Sequence, residues 1–233
     1  MGKIVIQIPT FLPSLNFFDG VPRLYQRAVK HQWKRYCCWP TGTDFEIGDY
    51  GVLKGGIFVP EGNIEKDYDI KCPKTTDTKP TRIDRFSSSR KYKIDFEFNS
   101  TKTVKGIRPI EGMTISFQGA GIVFIDAQES FYDRLQKLPE LNRNISKNPQ
   151  ADKDLKGKLI VMHILRATNV VIIISEASGG TVKFKASIPI NLPNSLVFPS
   201  NPQLSFSSSE NIAFKTISAE MPLMMMLGKY IQK

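Results

Sequence analysis

KLIVMHILRATNVVIIISEASGGTVKFKASIP, residues 158–189, is the stretch whose reading decides the fold. KLIVMHILR and VVIIIS are both aliphatic and β-branched, and over 158–175 they read as strand. Residues 176–180 make a turn ending in Gly179-Gly180, where glycine supplies the positive φ that tight turns need. TVKFKASI then alternates. Val182, Phe184, Ala186 and Ile188 point one way, and Thr181, Lys183, Lys185 and Ser187 the other. The usual home of such a strand is a half-buried antiparallel sheet.

The same two-residue period recurs upstream. KYKIDFEF, residues 91–98, sets Tyr92, Ile94, Phe96 and Phe98 against Lys91, Lys93, Asp95 and Glu97. MTISFQGAGIVFI, residues 113–125, sets Met113, Ile115 and Phe117 against Thr114, Ser116 and Gln118, then turns apolar on both faces as for a strand within a core. Residues 48–64 read as a hairpin turning at Gly55-Gly56, residues 3–8 as a short strand, and 203–207 and 212–217 as two more. Two helices are expected. Residues 21–36 space Val21, Leu24, Tyr25, Ala28, Val29, Trp33 and Tyr36 along one stripe, with Asp19 as cap and Pro22 in the first turn. Residues 127–138 place Phe131, Leu135 and Leu138 on one face, and 139–157 read as a linker. Residues 71–93 read as a basic loop leading into a strand. No internal repeat interrupts this order.

Charge narrows the function classes. In 233 residues, 32 Lys and Arg against 22 Asp and Glu give +10, which points to an acidic partner: nucleic acid, an anionic bilayer or an acidic protein. Plain solubility is the other reading of that surplus. The cations concentrate on the first helix, where Arg23, Arg27, Lys30 and Lys34 keep a 3–4 spacing off the apolar stripe and Arg35 adds a fifth. Such a helix packs one face on a core and offers the other to anionic headgroups, or is simply solvated there. The expected home is a reducing compartment: the N-terminal MGKIVIQIPTF is not a signal peptide, Ile6 stands where a myristoylation signal wants Ser or Thr, and no run is long and apolar enough for a spanning helix. Three cysteines, two of them adjacent, make a poor disulfide framework. Cys37 and Cys38 follow the basic helix, a position that suits acylation at a membrane, or they are two small buried side chains.

Catalytic chemistry is missing. Two histidines, His31 on the basic helix and His163 within an aliphatic strand, are poorly placed for metal or acid–base work, and no HExxH, paired CxxC, GxSxG, Gly-rich phosphate loop or EF-hand pattern occurs. The expectation is therefore a non-enzyme with no cofactor and no metal. A chain without a spanning helix still crosses a bilayer as a closed β-barrel, whose strands alternate over roughly 9–11 residues. The hairpins that fit run from about 88 to 125 and from about 158 to 190. Each supplies only two strands, so a barrel needs many copies.

In this order of elements the chain resembles the gasdermin pore-forming domain, above all the short gasdermin-like regulators of cell death of filamentous fungi, and more distantly bacterial gasdermins. The likeness rests on residues 158–189, on LSFSSSENIAFKTISAEMPLMMMLGKY at 204–230, on the run from KYKIDFEF through MTISFQGAGIVFI to FYDRLQKL, and on the basic first helix. It covers most of the chain and has no diagnostic motif. It implies an α+β fold, a twisted antiparallel sheet flanked by helices, as one pore-forming domain over 1–233 with no separate C-terminal inhibitory domain. It also implies acidic phospholipid as partner, with Arg23, Arg27, Lys30, Lys34 and Arg35 as lipid contacts, and self-assembly or hetero-assembly with a variant of the same family. Tyr92, Ile94, Phe96, Phe98, Met113, Ile115, Phe117, Val182, Phe184, Ala186 and Ile188 would lie on the inserting hairpins. The protein would rest in the cytoplasm and act at the plasma membrane in lytic, pyroptosis-like cell death. The implied trigger is a polymorphic partner in self/non-self recognition, or removal of a short tail, residues 219–233. The rival is a basic β-rich nucleic-acid-binding module that stacks bases on sheet aromatics. No RNP-like signature supports it, so nucleic acid is not the expected partner.

Overall fold

The computed structural model describes residues 2–7, 20–81, 85–98, 110–190 and 204–232. In chain order the elements are β1 (Lys3–Gln7), α1 (Val21–Trp33), β2 (Tyr36–Cys37), β3 (Asp49–Lys54), β4 (Ile57–Asn63), α2 (Ile64–Tyr68), β5 (Lys74–Thr76), β6 (Phe86–Ser87), β7 (Tyr92–Phe98), β8 (Ile110–Phe117), β9 (Ile122–Asp126), β10 (Glu129–Leu135), α3 (Leu138–Lys147), α4 (Pro149–Asp154), β11 (Leu159–Ser175), β12 (Thr181–Ile190), β13 (Leu204–Ser208) and β14 (Ile212–Ile231). The fold is α+β with open, mostly antiparallel sheets. Among the described residues, ten strands share one sheet and four the other.

The chain divides into two compact units, one of Met1–Thr81, Ser130–Ala167 and Met221–Lys233, the other of Arg82–Glu129 and Thr168–Glu220. In the first, the strand order is β1-β14-β11-β10-β5, with β2 beside β14, β3 beside β11 and β4 beside β3. Its core gathers Phe45, Phe58, Ile64, Ile160, Val161 and Leu227, each nearly or fully buried. The expected 48–64 hairpin is present: β3 pairs with β4 and turns through Gly55 and Gly56, whose φ values of 58° and 84° are the positive pair of a primed turn. Truncating a buried aliphatic residue in such a core costs about 2–5 kcal/mol.

In the second unit two layers face each other. The four-stranded sheet, in order β13-β12-β8-β7, supplies Met113, Ile115, Phe117, Val182 and Phe184; β9 and β11 supply Ile122, Phe124, Val171 and Ile173. Register explains the pattern. Ile94, Ile115 and Val182 lie in one cross-strand row, and Phe96, Met113 and Phe184 in the next. Period-two alternation therefore collects the apolar side chains of three strands on one face.

Four expectations are corrected. Residues 129–135 form a strand, β10, and not a helix. The 3–4 spacing of Phe131, Leu135 and Leu138 imitates a helical stripe, but pairing with β5 and burial of Asp133 against Arg166 and Thr76 fix the extended form. The linker instead holds α3 and α4. Leu141 and Ile145, four apart, bury α3, and the Asn148 side chain caps α4, accepting from the Gln150 and Ala151 amides with Pro149 in the first turn. The second hairpin is not the pair β11–β12. Residues 170–175 of β11 are buried, and 171–175 pair with β9 in the larger sheet, whereas β12 pairs with β8 and β13 in the smaller. The turn at 176–180 thus leads from one sheet to the other, held by Glu176 N–H to Asn211 O and Gly179 N–H to Phe117 O. Finally, residues 219–233 are no detachable tail. Residues 221–228 are buried in β14, which pairs with β1 and β2 and neighbours β11. Their removal would take away a central strand.

Candidate membrane-interaction surfaces

Helix α1 begins after Gly20, which has no side-chain cap; Asp19, the expected cap, lies outside the described residues. The helix buries Tyr25, Gln26, Ala28 and Val29, with Val21, Leu24 and Trp33 half-buried. It stops at Trp33, earlier than the stripe predicts. Lys34 takes a left-handed conformation, φ 56°, and its N–H caps Lys30 O. Tyr36 and Cys37 then pair with Met225 and Met224 as β2. Burial on a strand, not a helix face, accounts for Tyr36, since i and i+3 spacing fits either until pairing decides.

The cations follow from this. Arg23, Arg27 and Lys30 ride the helix at i, i+4 and i+7; Arg27 is exposed and the other two half-buried. Arg23 leans on the β3–β4 turn, where a Cβ on Gly55 would come 3.2 Å from its guanidinium. Partial burial and the neighbouring Lys34 hold the Lys30 ammonium below the usual lysine range. Lys34, exposed, donates to His31 O at 3.0 Å, and half-buried Arg35 donates to Lys34 O at 3.3 Å. Lys34 and Arg35 are thus on the exit from the helix, not within it.

Cys37 and Cys38 are fully buried as small core side chains, so in this structure neither thiol is presented at the surface for acylation. Burial pushes both thiols well above their ordinary range, which suppresses thiolate chemistry. The Cys37 amide donates to Gln26 Oε1 at 2.7 Å and the Tyr25 hydroxyl to Leu223 O at 3.1 Å, so the pair is locked between α1 and β14. His31 is exposed on α1. His163 is half-buried on β11, and burial together with the charges of Arg134 and Arg35 lowers its pKa.

The hairpin residues gather in the second unit. Met113, Ile115, Phe117, Val182 and Phe184 are core; Tyr92 and Ile94 pack against that core; Phe96 is 37 % exposed. The side chains of Phe98, Ala186 and Ile188 lie outside what the structure describes. On the opposite face Lys93, Asp95, Glu97 and Lys183 are exposed, and Thr114, Ser116 and Thr181 half-buried. Sequence reasoning missed β13 as the second partner of β12. Leu204 stands beside Ala186 and Phe206 beside Phe184, and the alternation of LSFSS was the available signal. Hairpins β7–β8 and β12–β13 are joined through β8–β12 into one sheet that ends, among the described residues, at β7 and β13.

No helix of the described residues is long and apolar enough to cross a membrane. No family model, curated protein or solved structure matches the chain.

Proposed function

We propose that the chain is a gasdermin-like pore-forming protein: it binds acidic phospholipid through α1, assembles with further copies, and inserts β7–β8 and β12–β13 as strands of a β-barrel. The observation that carries this reading is the four-stranded sheet, whose one face is apolar and largely buried while the other is polar, its described residues exposed or half-buried. A barrel strand needs that two-faced pattern, with the apolar side for lipid and the polar side for the lumen. Four strands per copy suit a ring. With β7 and β13 antiparallel to each other across the sheet, the β7 edge of one copy meets the β13 edge of the next with antiparallel sense maintained. β12, with 10 residues, has spanning length, and β7 and β8 have 7 and 8 described residues.

A variant of the same family would be the partner that triggers assembly, and a cytoplasmic protein would become a plasma-membrane one, with lytic cell death as the outcome. A nucleic-acid module is disfavoured because Phe117 and Phe184 are buried and Tyr92 packs against the same core, so among the described residues the exposed face of the sheet carries no aromatic for base stacking. The test is dye release from liposomes with and without acidic phospholipid. Leakage that requires acidic lipid supports the reading. Neither binding nor leakage at low salt, with retention of an oligonucleotide, overturns it for the rival.

A further inference from the structure

Burial divides the faces of α1. Tyr25, Gln26, Ala28 and Val29 are buried, and Arg23, Leu24 and Lys30 are half-buried at the flanks of that stripe. At 3.6 residues per turn, Arg27 and His31 stand one turn apart on the opposite side, and both are exposed. Lys34, exposed at the exit, follows three residues later, and its ammonium donates to His31 O at 3.0 Å. His31 therefore continues the outward row from Arg27 to Lys34, in a place where a reading confined to lysine and arginine leaves a gap. The charged groups nearest to it on α1 and its exit are Arg27, Lys30 and Lys34. Of the elements packed on α1, β2 brings Tyr36 and Cys37, both pushed above their ordinary ranges by burial, and β4 brings Glu61, ion-paired with Lys158. The other histidine of the chain, His163, is half-buried on β11.

Resting on the docking to acidic phospholipid proposed above, we propose that His31 is a further lipid contact of α1 and that its protonation tightens docking as pH falls. An imidazole changes charge near pH 6.5, a range far below the ordinary ranges of lysine and arginine. Neutral, it leaves the middle of the outward row uncharged. As imidazolium it adds a cation at the contact. An anionic surface holds the charged form more tightly than the neutral one, so affinity rises as pH drops through that range. One cation near an anionic surface is worth about 1 kcal/mol, which at 1.4 kcal/mol per decade is about fivefold.

The experiment is co-sedimentation of the purified chain with vesicles of phosphatidylglycerol and phosphatidylcholine at about pH 7.5 and about pH 5.5, one unit either side of the imidazole range, at one low ionic strength. The phosphodiester headgroups keep their charge across that range. Wild-type binding is expected to tighten about fivefold on acidification. His31→Gln should lose most of that gain, His31→Arg should bind at the higher pH as the wild type does at the lower, and His163→Gln should keep the wild-type response. The arginine variant carries the test by itself if the glutamine variant fails to fold. Wild-type binding that is equal at the two pH values, or a pH response unchanged in the His31 variants, overturns the role of His31 and leaves docking by α1 standing. Absence of wild-type binding to these vesicles at either pH overturns the lipid reading, and this inference with it.

Discussion

Phe96→Asp separates folding from insertion because of where Phe96 sits. It belongs to the apolar face, in one row with Met113 and Phe184, yet it is 37 % exposed whereas Phe184 is 2 % exposed. Fully burying such a side chain is worth about 1.5–3 kcal/mol, so the two-thirds burial of Phe96 is worth about 1–2 kcal/mol to the folded state. In a chain of this size that lowers the melting temperature by roughly 2–8 °C. An aspartate on the lipid-facing side of a barrel strand costs on the order of 2 kcal/mol near mid-bilayer, and it recurs in every copy. At 1.4 kcal/mol per decade, each copy inserts more than tenfold less favourably. The assay pairs thermal melting, liposome co-sedimentation and dye release on one preparation. The expected result is a folded protein that still sediments with acidic liposomes and does not release dye. Wild-type leakage from this variant would refute the assignment of that face to lipid; loss of co-sedimentation would refute the separation of docking from insertion. Phe184→Asp is the contrast, expected to unfold because it places a charge in the core.

Three further outcomes follow from the geometry. Arg27 and Lys30 changed together to Glu should weaken liposome binding at least about 30-fold, at about 1 kcal/mol per cation near an anionic surface, as read by co-sedimentation against salt. Arg166→Met should cost about 3 kcal/mol in denaturant unfolding, because it strands the Asp133 carboxylate, 9 % exposed, and removes the guanidinium donor to Phe45 O; Asp133→Asn added to it should recover part of the loss. For His163, whose folded pKa is lowered, the unfolded chain takes up the proton first, so stability should fall as pH drops below about 6.5 and level off under the folded pKa. Melting across pH 5–8 with His163→Gln as control checks this, and an identical pH slope in the variant would refute it.

Much of the second unit was legible in sequence. KYKIDFEF and TVKFKASI carry their burial in their alternation, since a period of two leaves one choice of face once either side is apolar. The Gly55-Gly56 turn was equally plain, because positive φ at two successive residues is a glycine signature. The body of α1 was set by its stripe, but its end was not. Lys34 in a left-handed conformation and the capture of Tyr36–Cys37 by β14 are decided by a strand far along the chain. The same is true of β10, whose local spacing suits a helix until β5 offers backbone partners and Arg166 offers a charge for Asp133.

The sequence by itself determined which strands are two-faced, which residues share a face, the start and stripe of the basic helix, and the excess of positive charge, because each is a matter of local period and composition. Only the tertiary structure decided that β11 and β12 belong to different sheets, that β12 takes β13 as its second partner, that Cys37 and Cys38 are buried, and that residues 221–228 are core. Pairing and burial depend on contacts between distant segments, and backbone hydrogen bonds carry no side-chain code that names the partner strand.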